Sequence, residues 1–184
     1  MSLSVISGGQ TGADVAGLWV AKIFNIPTGG WAPKDFITTS GKHPEMAETF
    51  GLKEHAESYR ARTIENLKSS DLTIVCSSRF EGGTKLTVNQ CTKLKKNLYV
   101  LQLDPEDLET SLKSPVFDQI IWFIQKKLPL GDFTLNVAGN STRSSPRAFE
   151  FTFKACFKIF KELGYVNQNG ITEDSWVDYQ DTWS

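Results

Sequence analysis

Three stretches of this 184-residue chain carry residues suited to holding an anion. The first, Gly8-Gly9-Gln10-Thr11-Gly12-Ala13-Asp14, follows the apolar run Leu3-Ser4-Val5-Ile6. Glycines there let the chain turn tightly and let a ligand approach the backbone. The first amides of a following helix lack internal partners, and with the helix dipole they attract phosphate or a similar oxyanion. Thr11 adds a hydroxyl donor. Asp14 either favours the dipole or orients the loop or a ligand hydroxyl. The second stretch, Gly82-Gly83-Thr84, precedes another helix. Two such termini suit a diphosphate or a ligand with two anionic ends. The third holds Tyr59, Arg62 and Asn66, whose spacing puts them on one helix face. Arg62 either grips a phosphate bidentately or forms an exposed ion pair with Glu57 or Glu65. The plain alternative for the first glycine turn is a tight strand-to-helix turn whose glycines serve packing only.

The first turn is not a P-loop, since no Gly-Lys followed by Ser or Thr occurs in the chain, and it does not fit the dinucleotide fingerprint cleanly. The acid–base candidates are Asp14 and Glu81, the latter read first as a solvated loop residue. Trp31 either stacks on a flat ring of the ligand or plugs the edge of the second strand. His43 reads as solvated, and Arg143 and Arg147 flank a serine-rich loop that either closes over an anion or stays in solvent. Asp71 is placed to bond Asn66 and fix the turn before its strand.

Composition narrows the class. A chain of this length supports one domain with a full core. A net charge of −1 gives no electrostatic footprint for nucleic acid. No apolar run approaches the roughly 18 residues of a membrane span, and the N-terminus lacks signal-peptide features. Cys76, Cys91 and Cys156 are dispersed, which reads as reduced thiols in a cytoplasmic protein. Two histidines, His43 and His55, are too few and too isolated for a zinc site, so no metal is expected.

The elements that must position these residues alternate. Strands are expected at 3–7, 26–30, 72–76, 98–103 and 133–138, and helices at 14–24, 58–68, 84–95, 115–127 and 148–163. Short apolar runs such as Leu72-Thr73-Ile74-Val75-Cys76 suit buried parallel strands. The last helix repeats apolar residues at Phe149, Phe153, Cys156, Phe157 and Phe160. The pattern predicts an α/β, Rossmann-like, three-layer, doubly wound domain with a mostly parallel sheet, over 1–164. Ligands bind such sheets at the carboxyl ends of the strands. That brings together the segments Ser7–Asp14, Gly30–Pro44, Ser77–Thr84 and Gly139–Arg147. Residues 31–57 read as a long irregular stretch. Residues 165–184 read as a polar, acidic tail whose Trp176, Tyr179 and Trp183 either cover a surface groove or make a subunit contact, and a homodimer is one reading.

Further short motifs stand in order: Gly29-Gly30-Trp31, Pro33-Lys34, Tyr59 with Arg62-Thr63 and Asn66, Ser70-Asp71 with Thr73, Gly82-Gly83-Thr84 with Thr87, and Leu135-Asn136-Val137-Ala138-Gly139. With the first glycine loop, this resembles the putative molybdenum carrier family, a branch of the SLOG superfamily of Rossmann-like nucleotide-binding proteins. The resemblance runs from about Ser4 to about Glu162. It departs at Val15, where the family carries a basic residue, and at Ala32-Pro33-Lys34-Asp35-Phe36 with Thr38-Thr39-Ser40, where it carries cysteine, arginine and an acidic pair. It also departs at Asn140, where the family has proline, and at Lys85-Leu86-Thr87-Val88, which lacks the glutamate of the related lonely-guy enzymes.

Residues and resemblance together give a ligand site at Gly8, Gly9, Gln10, Thr11, Gly12, Asp14, Gly30, Trp31, Lys34, Arg62, Asn66, Gly82, Gly83, Thr84, Asn136 and Gly139. The first reading is a protein that binds a phosphorylated nucleotide or nucleotide-like molecule without turnover. The second is a hydrolase of an N-glycosidic or phosphate-linked bond using Asp14 or Glu81. The third, implied by the resemblance, is a carrier of a molybdopterin-type cofactor.

Overall fold

The computed structural model describes residues 2–167 and 170–183. Along the chain run β1 (Leu3–Ile6), α1 (Ala13–Ile23), β2 (Thr28–Ala32), β3 (Ile37–Thr38), β4 (Gly41–Lys42), α2 (Met46–Phe50), β5 (Leu52–Glu54) and α3 (Tyr59–Lys68). Then come β6 (Leu72–Ser77), α4 (Gly82–Leu94), β7 (Asn97–Gln102), α5 (Leu108–Ser111), α6 (Val116–Lys127), β8 (Phe133–Gly139), α7 (Ala148–Glu162) and α8 (Val177–Gln180). Six strands form one sheet in the order β5-β2-β1-β8-β6-β7, and every neighbouring pair is parallel. Helices α1, α6 and α7 pack on one face and α3 and α4 on the other. The fold is therefore the expected Rossmann-like α/β sandwich of three layers.

Counted from β6 and continued through β1, the sheet order reads second, first, third, fourth, fifth, sixth. That is the flavodoxin-like doubly wound order, whose switch point lies between the first and third strands. Here those strands are β6 and β8. They run in register to their carboxyl ends, with Thr73 beside Asn136 and Cys76 beside Gly139.

Strand β6 is buried on both faces along its whole length, as its apolar run requires. The stretch 31–57 is not irregular. It holds a single-turn 3-10 helix at Lys34–Phe36, the antiparallel β3–β4 pair, α2 and the edge strand β5. Each is five residues or shorter, too short for a hydrophobic period to show in sequence. Helix α4 begins at Gly82, so its glycines lie inside the first turn rather than before it.

Helix α7 is largely buried, because α1 and α6 pack beside it and the C-terminal segment crosses it. Phe151 joins the aromatic residues expected in the core. Tyr179 lies 5.1 Å from Trp19 and 5.7 Å from Phe153, ring centre to ring centre, so this tail aromatic covers the α1–α7 groove. Trp176 packs against the same core, and the side chain of Trp183 lies outside the described residues, as do Gln168 and Asn169 of the tail. The three thiols are free and buried, and burial pushes that of Cys76 up to about 12. Among the described residues no helix is long and apolar enough to cross a membrane.

Phe153 is fully buried and stacks between Phe149 and Phe157. Phe153→Ala should destabilise the protein by about 3–5 kcal/mol in urea unfolding. Trp122→Ala, at a side chain that is 59% exposed, should stay within about 0.5 kcal/mol of the parent.

Candidate functional site

A cleft of about 420 Å³ opens at the carboxyl ends of β6 and β8. It is lined by Gln10, Thr39, Tyr59, Glu81, Gly82, Gly83, Thr84, Gly139, Asn140, Ser141 and Ser144. Sharing Gln10, Thr39 and Tyr59 with it is a second lobe of about 470 Å³, which brings in Lys34, Glu57 and Arg143. Beneath lies a small polar chamber of about 20 Å³ bounded by Gly8, Asp14, Tyr59, Arg62, Thr63, Asn66, Gly83, Thr87, Asn136, Ala138 and Gly139. A larger groove of about 690 Å³ runs along Phe24, Phe157 and Tyr165 under the C-terminal segment, away from the strand ends where this fold takes ligands.

Asn140 ties the cleft together. Its Oδ1 accepts from Ser77 Oγ at 3.0 Å and from the backbone amides of Ser78 and Arg79 at 2.9 and 3.3 Å. Its Nδ2 donates to the Arg79 carbonyl at 3.0 Å and to Thr84 Oγ1 at 3.2 Å. Its backbone carbonyl accepts from Ala13 N at 3.1 Å. One side chain and its own peptide thus join the loop after β6, the loop after β8 and the first turns of α1 and α4. A proline here, as in the family pattern, would bring no such side-chain bonds. In sequence Asn140 stood out only as the departure from the family's proline.

This arrangement treats the two helix N-termini differently. At α1 the first amide is spent on Asn140, and Thr11 N is spent on Gln10 Oε1 at 3.0 Å. Gly12 has φ 89° and faces protein: a Cβ there would stand 2.5 Å from the Asn140 carbonyl and 2.7 Å from Thr142 N. The 140–142 backbone packs directly against Gly12. At α4 the amides of Gly82, Gly83 and Thr84 have no hydrogen-bond partner among the described residues, and the capping residue Glu81 contributes no side-chain bond. Gly82 has φ 51°, and a Cβ added to it would meet nothing within 4 Å. It borders open cleft.

Tyr59, Arg62 and Asn66 do share a face of α3, but Arg62 does not pair with Glu57 or Glu65. It is buried, and Nη1 lies 3.6 Å from Asp14 Oδ2. Its guanidinium stacks on the Tyr59 ring, 4.2 Å from the ring centre. Nε and Nη2 have no partner among the described residues. Gly8 must be glycine because Arg62 lies directly against it. Burial raises the Asp14 carboxyl above its ordinary 3.8, although Arg62 and the amides of Gln10 and Gly8 pull the other way.

Asn66 clamps β2: its Oδ1 accepts from Trp31 N at 2.8 Å and its Nδ2 donates to the Trp31 carbonyl at 3.0 Å. Asp71 is not its partner and instead accepts from Thr134 N at 2.7 Å. Trp31 lines none of the three spaces; its ring meets His55 edge-on at 5.5 Å, with Lys53 Nζ 5.9 Å away. Asn136 donates to Thr73 Oγ1 at 3.2 Å and lines the chamber. Gly9, Gly30 and Gly139 each stand where a Cβ would strike protein: Leu52, the Ser7 carbonyl and the Cys76 carbonyl. His43 bonds Ser40 and Glu45, and Arg147 bonds Glu150 and the Pro105 carbonyl, leaving Arg143 as the arginine of that loop that lines a lobe. Among the described residues no group of three or more His, Cys, Asp or Glu could hold a metal ion.

The family model described as the circularly permutated YpsA SLOG family matches residues 5–160. The chain belongs to that family. The permuted description accords with a sheet that regains the doubly wound order when counted from β6. A crystal structure of a putative molybdenum carrier protein from Syntrophus aciditrophicus SB superposes with a TM-score of 0.69. It is 31% identical, and the match covers 85% of this chain and 93% of that one. Among curated proteins no significant match is found.

Removing the Asn140 side chain takes the acceptor from the donors of Ser77, Ser78 and Arg79 and the donor from the Arg79 carbonyl and Thr84 Oγ1. Asn140→Ala should therefore cost about 2–3 kcal/mol in urea unfolding. A loss below about 0.5 kcal/mol would mean that the loops hold without it. Asp14 gives a pH signature. Its raised pKa means the folded chain binds that proton more tightly than the unfolded chain does. The stability this group adds is full below 3.8 and is lost as pH rises through the folded value. The stability of the parent relative to Asp14→Asn should fall as pH rises above 3.8, followed by urea titrations at a series of pH values. A rise would show that pairing with Arg62 outweighs burial.

Proposed function

We propose that this chain binds a phosphorylated nucleotide or nucleotide-like molecule in the cleft between β6 and β8, without turning it over. The open N-terminus of α4 carries the reading. Three unspent amides and the positive end of a 13-residue helix face a cleft at the switch point of the sheet. The cleft volume suits a small ligand. Ser141, Ser144 and Gln10 offer further polar contacts on its walls, and Lys34 and Arg143 in the adjoining lobe suit a second anionic group.

Binding is preferred to catalysis because of where the carboxylates stand. Asp14 is buried against Arg62, and Glu81 caps α4 at the rim with its side chain in solvent. A hydrolase needs groups that favour the transition state over the bound ligand. A molybdopterin-type ligand is a second reading of the same site. Its phosphate would use the same amides, and the structural neighbour named a putative molybdenum carrier supports including it.

The test exploits the open space at Gly82. Gly82→Asp places a carboxylate among the amides meant for phosphate, and Asp tolerates positive φ. Gly82→Asn is its uncharged match. Calorimetry with paired nucleosides and nucleoside monophosphates should show binding of a monophosphate but not its nucleoside. Gly82→Asn should retain that binding and Gly82→Asp should weaken it at least tenfold. Equal affinity for nucleoside and monophosphate, or indifference to Gly82→Asp, would contradict the site. Chromatography after long incubation should recover the ligand intact. Steady product formation lost in Glu81→Gln would make the protein a hydrolase.

A further inference from the structure

Arg62 is a buried cation whose bonding is incomplete. Its side chain is 5% exposed, its nearest carboxylate oxygen is 3.6 Å away, and Nε and Nη2 meet no acceptor among the described residues. A buried donor left unmade costs free energy, and more so for a charged group. The chamber it lines is polar, with Thr63, Thr87 and Asn136 on its walls, and at about 20 Å³ it has room for one water. One wall is unlike the others. The Tyr59 ring borders the chamber, the cleft and the second lobe alike. Its hydroxyl stands against Gly83, where a Cβ would approach it to 2.7 Å, and makes no hydrogen bond among the described residues. The residue is 43% exposed, so part of it meets solvent. What holds it is the stack on Arg62.

We infer that Tyr59 is a removable wall, and that behind it Arg62 forms a binding subsite for a tetrahedral oxyanion. When the ring swings out, the chamber joins the cleft beside Gly83, and the idle Nε and Nη2 donors are no longer sealed from it. A phosphoryl oxygen entering there gains a charge-assisted, two-pronged contact that the closed chamber denies. The inference rests on the cleft reading where the phosphoryl belongs to a larger ligand; a free inorganic oxyanion would use the same donors.

The probe is inorganic phosphate, with a nucleoside monophosphate in parallel. The ¹⁵N signal of Arg62 Nε, identified by its loss in Arg62→Gln, should shift on titration of the unaltered chain. Tyr59→Ala should raise phosphate affinity at least tenfold, Tyr59→Phe should behave as the parent, and adding Arg62→Gln to Tyr59→Ala should abolish the gain. If the double variant does not fold, adding Asp14→Asn removes the carboxylate left alone. A response to inorganic phosphate alone supports the subsite and assigns it to a free anion, while a response to both assigns it to the ligand's phosphoryl group. The inference fails if a monophosphate binds and is lost in Gly82→Asp while the Arg62 signal stays still. It fails equally if Tyr59→Ala binds phosphate no more tightly than the parent; in either case the cleft reading stands or falls separately.

Discussion

The site depends on how Asn140 distributes hydrogen bonds. Parallel strands bring their following loops to one edge but do not fix those loops to each other. Here one buried amide does so. It accepts from Ser77, Ser78 and Arg79 at the end of β6 and in the loop after it and donates to Arg79 and Thr84, while its peptide carbonyl takes the first amide of α1. The consequence reaches the chemistry. Of two helix N-termini at the same edge, the one following β1 has the amides of Ala13 and Val15 bonded to protein, whereas the one following β6 has those of Gly82, Gly83 and Thr84 without a partner among the described residues.

The same logic explains the glycines. Turns rich in glycine invite a phosphate reading, yet close approach can be to protein as well as to a ligand. Gly8 makes way for Arg62, Gly12 for the 140–142 backbone and Gly83 for Tyr59, whereas Gly82 borders open space. The glycines named here thus divide into those that let loops and helices interlock and one that borders open cleft.

Much of this order was legible in sequence. Apolar runs of five or six residues and helices with a helical apolar period gave the alternation, the sheet class and the pooling of loops at one edge. The shared face of Tyr59, Arg62 and Asn66 also followed from spacing. What sequence did not show were pairings between distant residues. Arg62 meets Asp14 and Asn66 meets Trp31 across tens of residues, and no local pattern encodes either contact. Asn140 stood out as a departure from the family's proline, but its role needs the loop after β6 to be in place. Strands as short as β3, β4 and β5 leave too few residues for a period, so the region after β2 read as irregular.

Family membership and the likeness to a putative molybdenum carrier protein fit this architecture, while the ligand is argued from the cleft itself. The most direct measurement is an amide ¹H–¹⁵N map of the full chain titrated with a nucleoside monophosphate. The account predicts that the largest shifts fall at Gly82, Gly83 and Thr84, with smaller ones at Ser141 and Ser144. Largest shifts at Gly12 and Ala13, or along the C-terminal groove at Tyr165 and Ile171, would contradict it.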